Sequence, residues 1–267
     1  MSLLNRVCFL TVVGAFLVAS SGCKMISQLQ ARDALNRGVT AFSAKRHDEA
    51  VEHFKVAVEK DPDLIAGLLY LATTYRAQFV PQATSMENLE KARLAIETFE
   101  IVISKALEDK IAQATAMANL AGIYSSMGEY ETAKEWYRSR IVVDPDSADP
   151  LYGIGTINWQ LAYDETGMTG ENVENLEEER VVEINTLVDE GVDVLKRALE
   201  LDPGYADAMQ YLNLLYREKA KLTGDEEEQR NWEREADKLA LEALDLKRRQ
   251  QAEAEQARRS LSTKTED

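Results

Sequence analysis

Two spans of the chain place small and apolar residues at the same offsets. Residues 31–62 read ARDALNRGVTAFSAKRHDEAVEHFKVAVEKDP, and residues 114–145 read ATAMANLAGIYSSMGEYETAKEWYRSRIVVDP. In both, a small residue stands eighth (Gly38, Ala121), an alanine twentieth (Ala50, Ala133) and an aromatic twenty-fourth (Phe54, Tyr137), and Asp-Pro closes the span. Apolar positions recurring every three to four residues, broken once in the middle, predict two amphipathic helices joined by a turn. The small residues let the two helices of a pair approach, and the aromatic fills the space between neighbouring pairs. Proline cannot continue a helix, so it forces the chain onward into the next pair.

The same pattern returns three more times with insertions. A second first helix, IAGLLYLATTYRAQ, carries Leu68, Leu71, Ala72 and Tyr75 in register, and its partner ARLAIETFEIVISKAL (Ala95, Phe99, Val102) arrives about eleven residues late. ADPLYGIGTINWQLA supplies Leu151, Ile154 and Gly155, and its partner VDEGVDVLKRALELDP (Gly191, Leu195, Ala198, Pro203) follows about twenty-four extra residues. ADAMQYLNLLYREKA (Met209, Leu212, Tyr216) opens the last pair, which NWEREADKLALEALDL completes with Ala236 and Ala243. The insertions fall around residues 77–91, 164–185 and 221–231.

This pattern resembles the tetratricopeptide repeat, a 34-residue helix-turn-helix unit. The span from Ala114 adds Leu120, Tyr124, Gly128 and Tyr130 at the family's offsets. The resemblance covers residues 31–247 and implies an all-α fold, a right-handed α-solenoid of about five units. A single unit cannot bury its apolar face alone, so units stack. Beyond them, residues 248–267 are polar all round and are expected to prolong the last helix and then fray.

The start of the chain has a different pattern. MSLLNR carries one positive charge, Arg6, and VCFLTVVGAFLVA follows with thirteen uncharged residues. A membrane-spanning helix needs about 20. A basic start, a short apolar run and small residues describe an export signal. SSGC resembles a bacterial lipoprotein signal, in which Cys23 becomes the acylated first residue; Ser21 and Gly22 fit that pattern and Ser20 departs from it. Ala19 and Ser21 also satisfy the small-x-small rule of ordinary signal peptidase, which would release a soluble periplasmic protein. The expected division is a signal at 1–22, a lipidated tether at 23–30, the superhelix at 31–247 and the polar end at 248–267. Lys24 is not the aspartate that retains lipoproteins in the inner membrane. By resemblance, the expected location is therefore the cell envelope, at the outer membrane facing the periplasm.

Composition narrows the chemistry. Formal net charge is −16, which argues against nucleic acid as a partner. Cys8 lies in the segment to be removed, so the mature chain has one cysteine and no internal disulfide. A single thiolate also builds no metal site. The two histidines, His47 and His53, are six apart and fall on different faces of a helix. The Gly153-Ile154-Gly155 run has no strand before it, and Asn158 stands where a dinucleotide loop needs its third glycine. The acidic insert DETGMTGENVENLEEER lacks the spacing of a calcium loop and reads as a solvated loop leading into a helix. No cofactor, metal or catalytic residue is assigned, and the chain is expected not to be an enzyme. A site in the 164–190 insert is the alternative.

By resemblance, first-helix residues of each unit line a concave groove for a peptide or a partner helix. Those positions hold Leu35, Val39 and Phe42; Leu69, Thr73 and Arg76; Ala118, Gly122 and Ser125; Tyr152, Thr156 and Trp159; and Gln210 and Arg217. The family's carboxylate clamp needs Lys and Asn where this chain has Leu35, Val39, Leu69 and Thr73. Phe42, Arg76, Tyr152, Trp159 and Arg217 are the candidate partner-binding residues. Tyr152 and Trp159, seven apart and so on one face, are typical hot-spot side chains; packing against the neighbouring insert is the competing role. The resemblance implies a non-catalytic, membrane-tethered scaffold in assembly of an outer-membrane, pilus, secretion or cell-wall machine. Repeats of this kind serve many tasks, and neither partner nor oligomeric state follows from them.

Overall fold

The computed structural model describes residues 24–264. The signal segment and Cys23 lie outside the described residues. All regular elements described are helices, so the all-α expectation holds. The chain divides into two compact units, residues 1–129 and 130–267.

In the first unit, α1 (24–43) pairs with α2 (His47–Lys60), and α3 (Ile65–Gln78) pairs with α4 (Met86–Lys105), against which α5 (Lys110–Ser126) packs. The small-residue rule works here as steric relief. A Cβ at Gly38 would lie 2.5 Å from Phe54 Cδ1, so α2 can press its aromatic onto the α1 backbone only because that position is glycine. The buried Phe54 ring also stacks on Tyr70 of α3 at 5.4 Å, tying one hairpin to the next. The first insertion mostly lengthens a helix. Ser85 caps α4 by accepting from Asn88 N at 3.2 Å, which satisfies one of the orphan donors of the first turn. Buried Asn88 then pins the incoming loop, accepting from Val80 N at 2.7 Å and donating to the carbonyls of Val80 and Ala83. The first turns of α1 take in residues 24–30, the span expected to link anchor and repeats, and Ser27 Oγ donates to Lys60 O at 2.6 Å.

The second unit comprises α6 (Tyr130–Val143), α7 (Asp149–Thr166), a 3-10 turn (Val173–Asn175), α8 (Glu178–Leu201), α9 (Ala206–Leu222) and α10 (Glu226–Lys264). Its core gathers Leu151, Ile184, Val188, Leu195, Leu212, Leu215 and Ala236. Glycines again mark helix crossings: a Cβ at Gly155 would meet Leu195 Cγ at 2.5 Å, and one at Gly153 would meet Tyr137 Cε2 at 2.6 Å. The acidic insert resolves into a short loop and an early start for α8, whose added turns bury Ile184. Gly167 and Gly170 turn the loop at positive φ, 81° and 83°, where a side chain would be strained. The Glu171 carboxylate closes it by accepting from Thr169 N at 2.7 Å and Met168 N at 3.2 Å. Backbone donors, its own first and then Thr169's, hold that carboxyl at a pKa of about 2. Along α10, Lys247 pairs with Asp207 at 2.8 Å and Gln250 donates to Gly204 O at 2.9 Å. From residue 251 to residue 260 the helix is exposed on every side.

Candidate partner-binding faces

In the second unit the two predicted aromatics join a larger set. Tyr152 and Trp159 both lie on α7, and each meets Tyr211 of α9 edge-on, at 5.5 and 5.3 Å. Tyr205, at the start of α9, sits 5.0 Å from Tyr152, and Tyr163 sits 5.2 Å from Trp159. The result is a continuous run of rings, Tyr205, Tyr152, Tyr211, Trp159 and Tyr163, all half-buried. Tilted and edge-to-face contacts at these separations stabilise aromatic pairs beyond their burial. The rings thus serve packing between α7 and α9, while their exposed edges form an apolar strip. The neighbour that these ring contacts give it is α9.

The rim of the strip is polar. Tyr205 donates a long hydrogen bond to Asp149 Oδ1 at 3.4 Å, and Lys221 Nζ stands 5.1 Å from the Tyr163 ring centre. Burial, then the neighbouring Tyr211 and Asp207, raise the Tyr152 phenol to about 12. Burial and Asp149 raise Tyr205 as well. Both hydroxyls are therefore neutral donors at physiological pH. Such a strip can take apolar or aromatic side chains while the phenols and carboxylates fix their orientation.

Arg217 also lies on α9. It donates to Asn213 Oδ1 at 3.0 Å and pairs with Asp237 of α10 at 2.7 Å. It also lines a cleft of about 400 Å³ with Met168, Thr169, Gly170, Lys221 and Gln229, where the insert loop meets α9.

In the first unit, half-buried Phe42 meets His47 edge-on at 5.4 Å and Tyr70 at 6.5 Å. Arg76 is exposed on α3, and its guanidinium donates to Asn119 Oδ1 of α5 at 2.5 Å. Gly122 makes room for it: a Cβ there would stand 3.0 Å from Arg76 Nη2.

Sequence reasoning missed Tyr163, Tyr205 and Tyr211. Tyr163 had a signal, since it stands four after Trp159 and shares its helix face. Tyr205 and Tyr211 join only through the packing of α9 on α7. It also missed a buried polar network: Lys134, Asn158 and Glu190, with Lys134 Nζ 3.3 Å from Asn158 Oδ1. Among the described residues no His, Cys, Asp and Glu cluster has the makings of a metal site. No described helix is long and apolar enough to cross a membrane.

A tetratricopeptide-repeat family model matches residues 114–146, which takes in the repeat read at 114–145. The photosystem I assembly protein Ycf3 of Synechococcus sp. (strain CC9311) is 29% identical over 153 residues, 56% of this chain and 82% of that protein. Among solved structures, a MamA protein is similar with a TM-score of 0.56 at 17% identity, over 84% of this chain and 94% of that one. The pilF protein of Pseudomonas aeruginosa gives 0.52 at 13% identity, over 81% and 78%. At such identities the structural likeness speaks for the fold alone.

Proposed function

We propose that this tetratricopeptide-repeat protein, an interaction scaffold by its fold, works without catalysis in a bacterial cell envelope and is held there by an acyl chain on Cys23. Its repeats would bind a peptide or partner helix, and the strip of Tyr205, Tyr152, Tyr211, Trp159 and Tyr163 is the observation that carries this reading. Half-buried aromatics held rigid by one another lose little entropy on binding, which is what makes such residues anchors. The likeness to a protein named for assembly supports a role in building a larger machine, which the signal pattern and Lys24 would place in the envelope, at the outer membrane on the periplasmic side. The anchor is supported by SSGC directly after the apolar run and by Lys24 after the cysteine.

Crosslinking in native membranes, from a photoreactive residue at Thr156 on the same face, tests the strip. Tyr152→Ala/Trp159→Ala should lose the crosslinked partner while keeping its helical circular dichroism; unchanged crosslinks would remove the strip from the binding surface. Palmitate labelling tests the anchor. Label should disappear in Cys23→Ser, and label that survives the change refutes it. The Ala19-x-Ser21 pattern favours a second reading, release as a soluble periplasmic module, which an unlabelled periplasmic protein would support.

A further inference from the structure

The first turns of α1 break the pattern of the rest of the helix. Met25, Ile26 and Leu29 are 66%, 59% and 61% exposed. At 3.6 residues per turn they share an arc of about 100°. Ala31, Ala34, Gly38 and Ala41 fall on roughly the opposite side, which is buried. Further along the outward face every residue is polar and exposed: Arg32, Asp33, Asn36 and Thr40. Three adjacent large apolar side chains on the outer face of an otherwise amphipathic helix are the informative kind of exposure. They do not belong to a frayed end, because Ser27, on the inward side, donates to Lys60 O at 2.6 Å and fixes this turn to the end of α2.

What covers them is indicated by where they stand in the chain. The described helix starts at Lys24, one residue after Cys23. At 1.5 Å per residue, Leu29 is about 8 Å along the helix from Lys24. Interfacial helices bury their apolar faces about 5–10 Å into the headgroup and acyl boundary. The apolar stripe stops within the first two turns after the cysteine, and the polar face begins beyond it. An acylated Cys23 would hold the first turns of α1 next to the bilayer interface, where a second contact adds to the anchor and fixes orientation. Resting on the proposed anchor at Cys23, we infer that the first turns of α1 are a lipid-contacting foot. Met25, Ile26 and Leu29 enter the bilayer interface beside the acylated cysteine, and the Ser27 bond couples the foot to the first repeat. The repeats are then mounted on the membrane rather than swung from a loose arm.

The test uses the full acylated chain purified from membranes and reconstituted in vesicles of phosphatidylethanolamine and phosphatidylglycerol. Acylation blocks Cys23, so Leu29→Cys can be labelled alone with an environment-sensitive fluorophore, with Asn36→Cys as the control further along the same face. The foot requires blue-shifted emission at 29, shielded from aqueous iodide and quenched by spin-labelled acyl chains, and water-like emission at 36. Water-like emission at both positions, in protein that carries palmitate and floats with the vesicles, overturns the foot and leaves the anchor standing. Blue-shifted emission at 29 without acyl-chain quenching assigns the stripe to a second protein copy and also overturns it. Protein that carries no palmitate and does not float takes down the anchor and the foot together.

Discussion

The Phe54 ring occupies the space that a side chain on Gly38 would need, with its Cδ1 2.5 Å from the position of an ideal Cβ. The ring is fully buried and stacked on Tyr70, so it cannot swing away. Gly38→Ala should therefore lower stability by about 1–3 kcal/mol, the usual range for overpacking, in spite of alanine's better helix propensity. Gly67 is the control. It is also a buried helical glycine, but its Cβ would meet Leu64 and Val58 at an ordinary 3.5 Å. Gly67→Ala should gain about 0.5–1 kcal/mol from propensity alone. Urea denaturation of both variants checks the pair, and equal effects would show that the helix contact is not tight.

Asn158 holds together a charge that the core would otherwise leave stranded. The Lys134 side chain is 3% exposed, and its Nζ lies 2.8 Å from Glu131, 3.3 Å from Asn158 Oδ1 and 3.8 Å from Glu190. Asn158 donates in turn to Glu190 Oε2 at 2.9 Å. Asn158→Ala should cost about 1–3 kcal/mol, because it leaves buried polar groups short of partners. The pH dependence carries a second signature. Burial pushes the Glu190 carboxyl up, but the Asn158 and Arg138 hydrogen bonds and the Lys134 charge outweigh it, and the net shift is down. A depressed carboxyl contributes stability above its unfolded value, near 4.3, and loses it as pH falls through the folded one. That acid-labile part should shrink in Asn158→Ala, as read from denaturation midpoints between neutral and acid pH.

The hairpin pattern was legible because its physics is local. Gly38, Ala50 and Phe54 stand at fixed offsets, and the helices they predict form and pack as those offsets require. Helix starts were less legible wherever an insertion preceded them. α8 begins at Glu178, although only the stretch from Val188 reads as its repeat, because Ile184 continues the apolar stripe through an acidic background. α4 likewise begins at Met86, where the cue is one capping serine. The partner-binding candidates divide in the same way. Tyr152 and Trp159 share a face by spacing, but Tyr205 and Tyr211 reach them from the next hairpin, and one chain's sequence does not record which turn of α9 lies against which turn of α7. Nothing local in the sequence announces the acceptors that surround Lys134.

Glu218 should control the insert loop from beneath. It is 1% exposed, accepts from Thr166 Oγ1 at 2.7 Å, and pairs with Lys221 Nζ at 2.7 Å. The same ammonium donates to Gly167 O at 2.7 Å, where the loop leaves α7. Glu218→Ala removes the carboxylate beside a largely buried cation, a change that costs about 3–5 kcal/mol in comparable sites. Glu218→Gln keeps one acceptor oxygen and should cost less. Hydrogen exchange should locate the effect: amides of residues 168–176 lose protection before those of α3 and α4, which belong to the other unit. Uniform loss throughout the chain would mean that Glu218 supports the whole fold and not the loop in particular.

The aromatic run makes its own prediction at alkaline pH. Burial, followed by Tyr211 and Asp207, raises the Tyr152 phenol to about 12, and burial with Asp149 raises Tyr205 too. An unfolded tyrosine ionises near 10. Below that pH both states keep their protons and nothing is lost. Between about 10 and 12 the unfolded chain ionises first, so folded stability must fall across that window. Tyr152→Phe/Tyr205→Phe removes both titrations and should flatten the fall, while the tyrosinate absorbance curve loses its late phase. The double variant also gives up the weak 3.4 Å bond to Asp149, so its stability at neutral pH should drop slightly even as its alkaline limb improves. An unchanged alkaline limb would mean that water reaches these phenols freely, and the strip would then lose the rigid, desolvated character that suits it to gripping a partner.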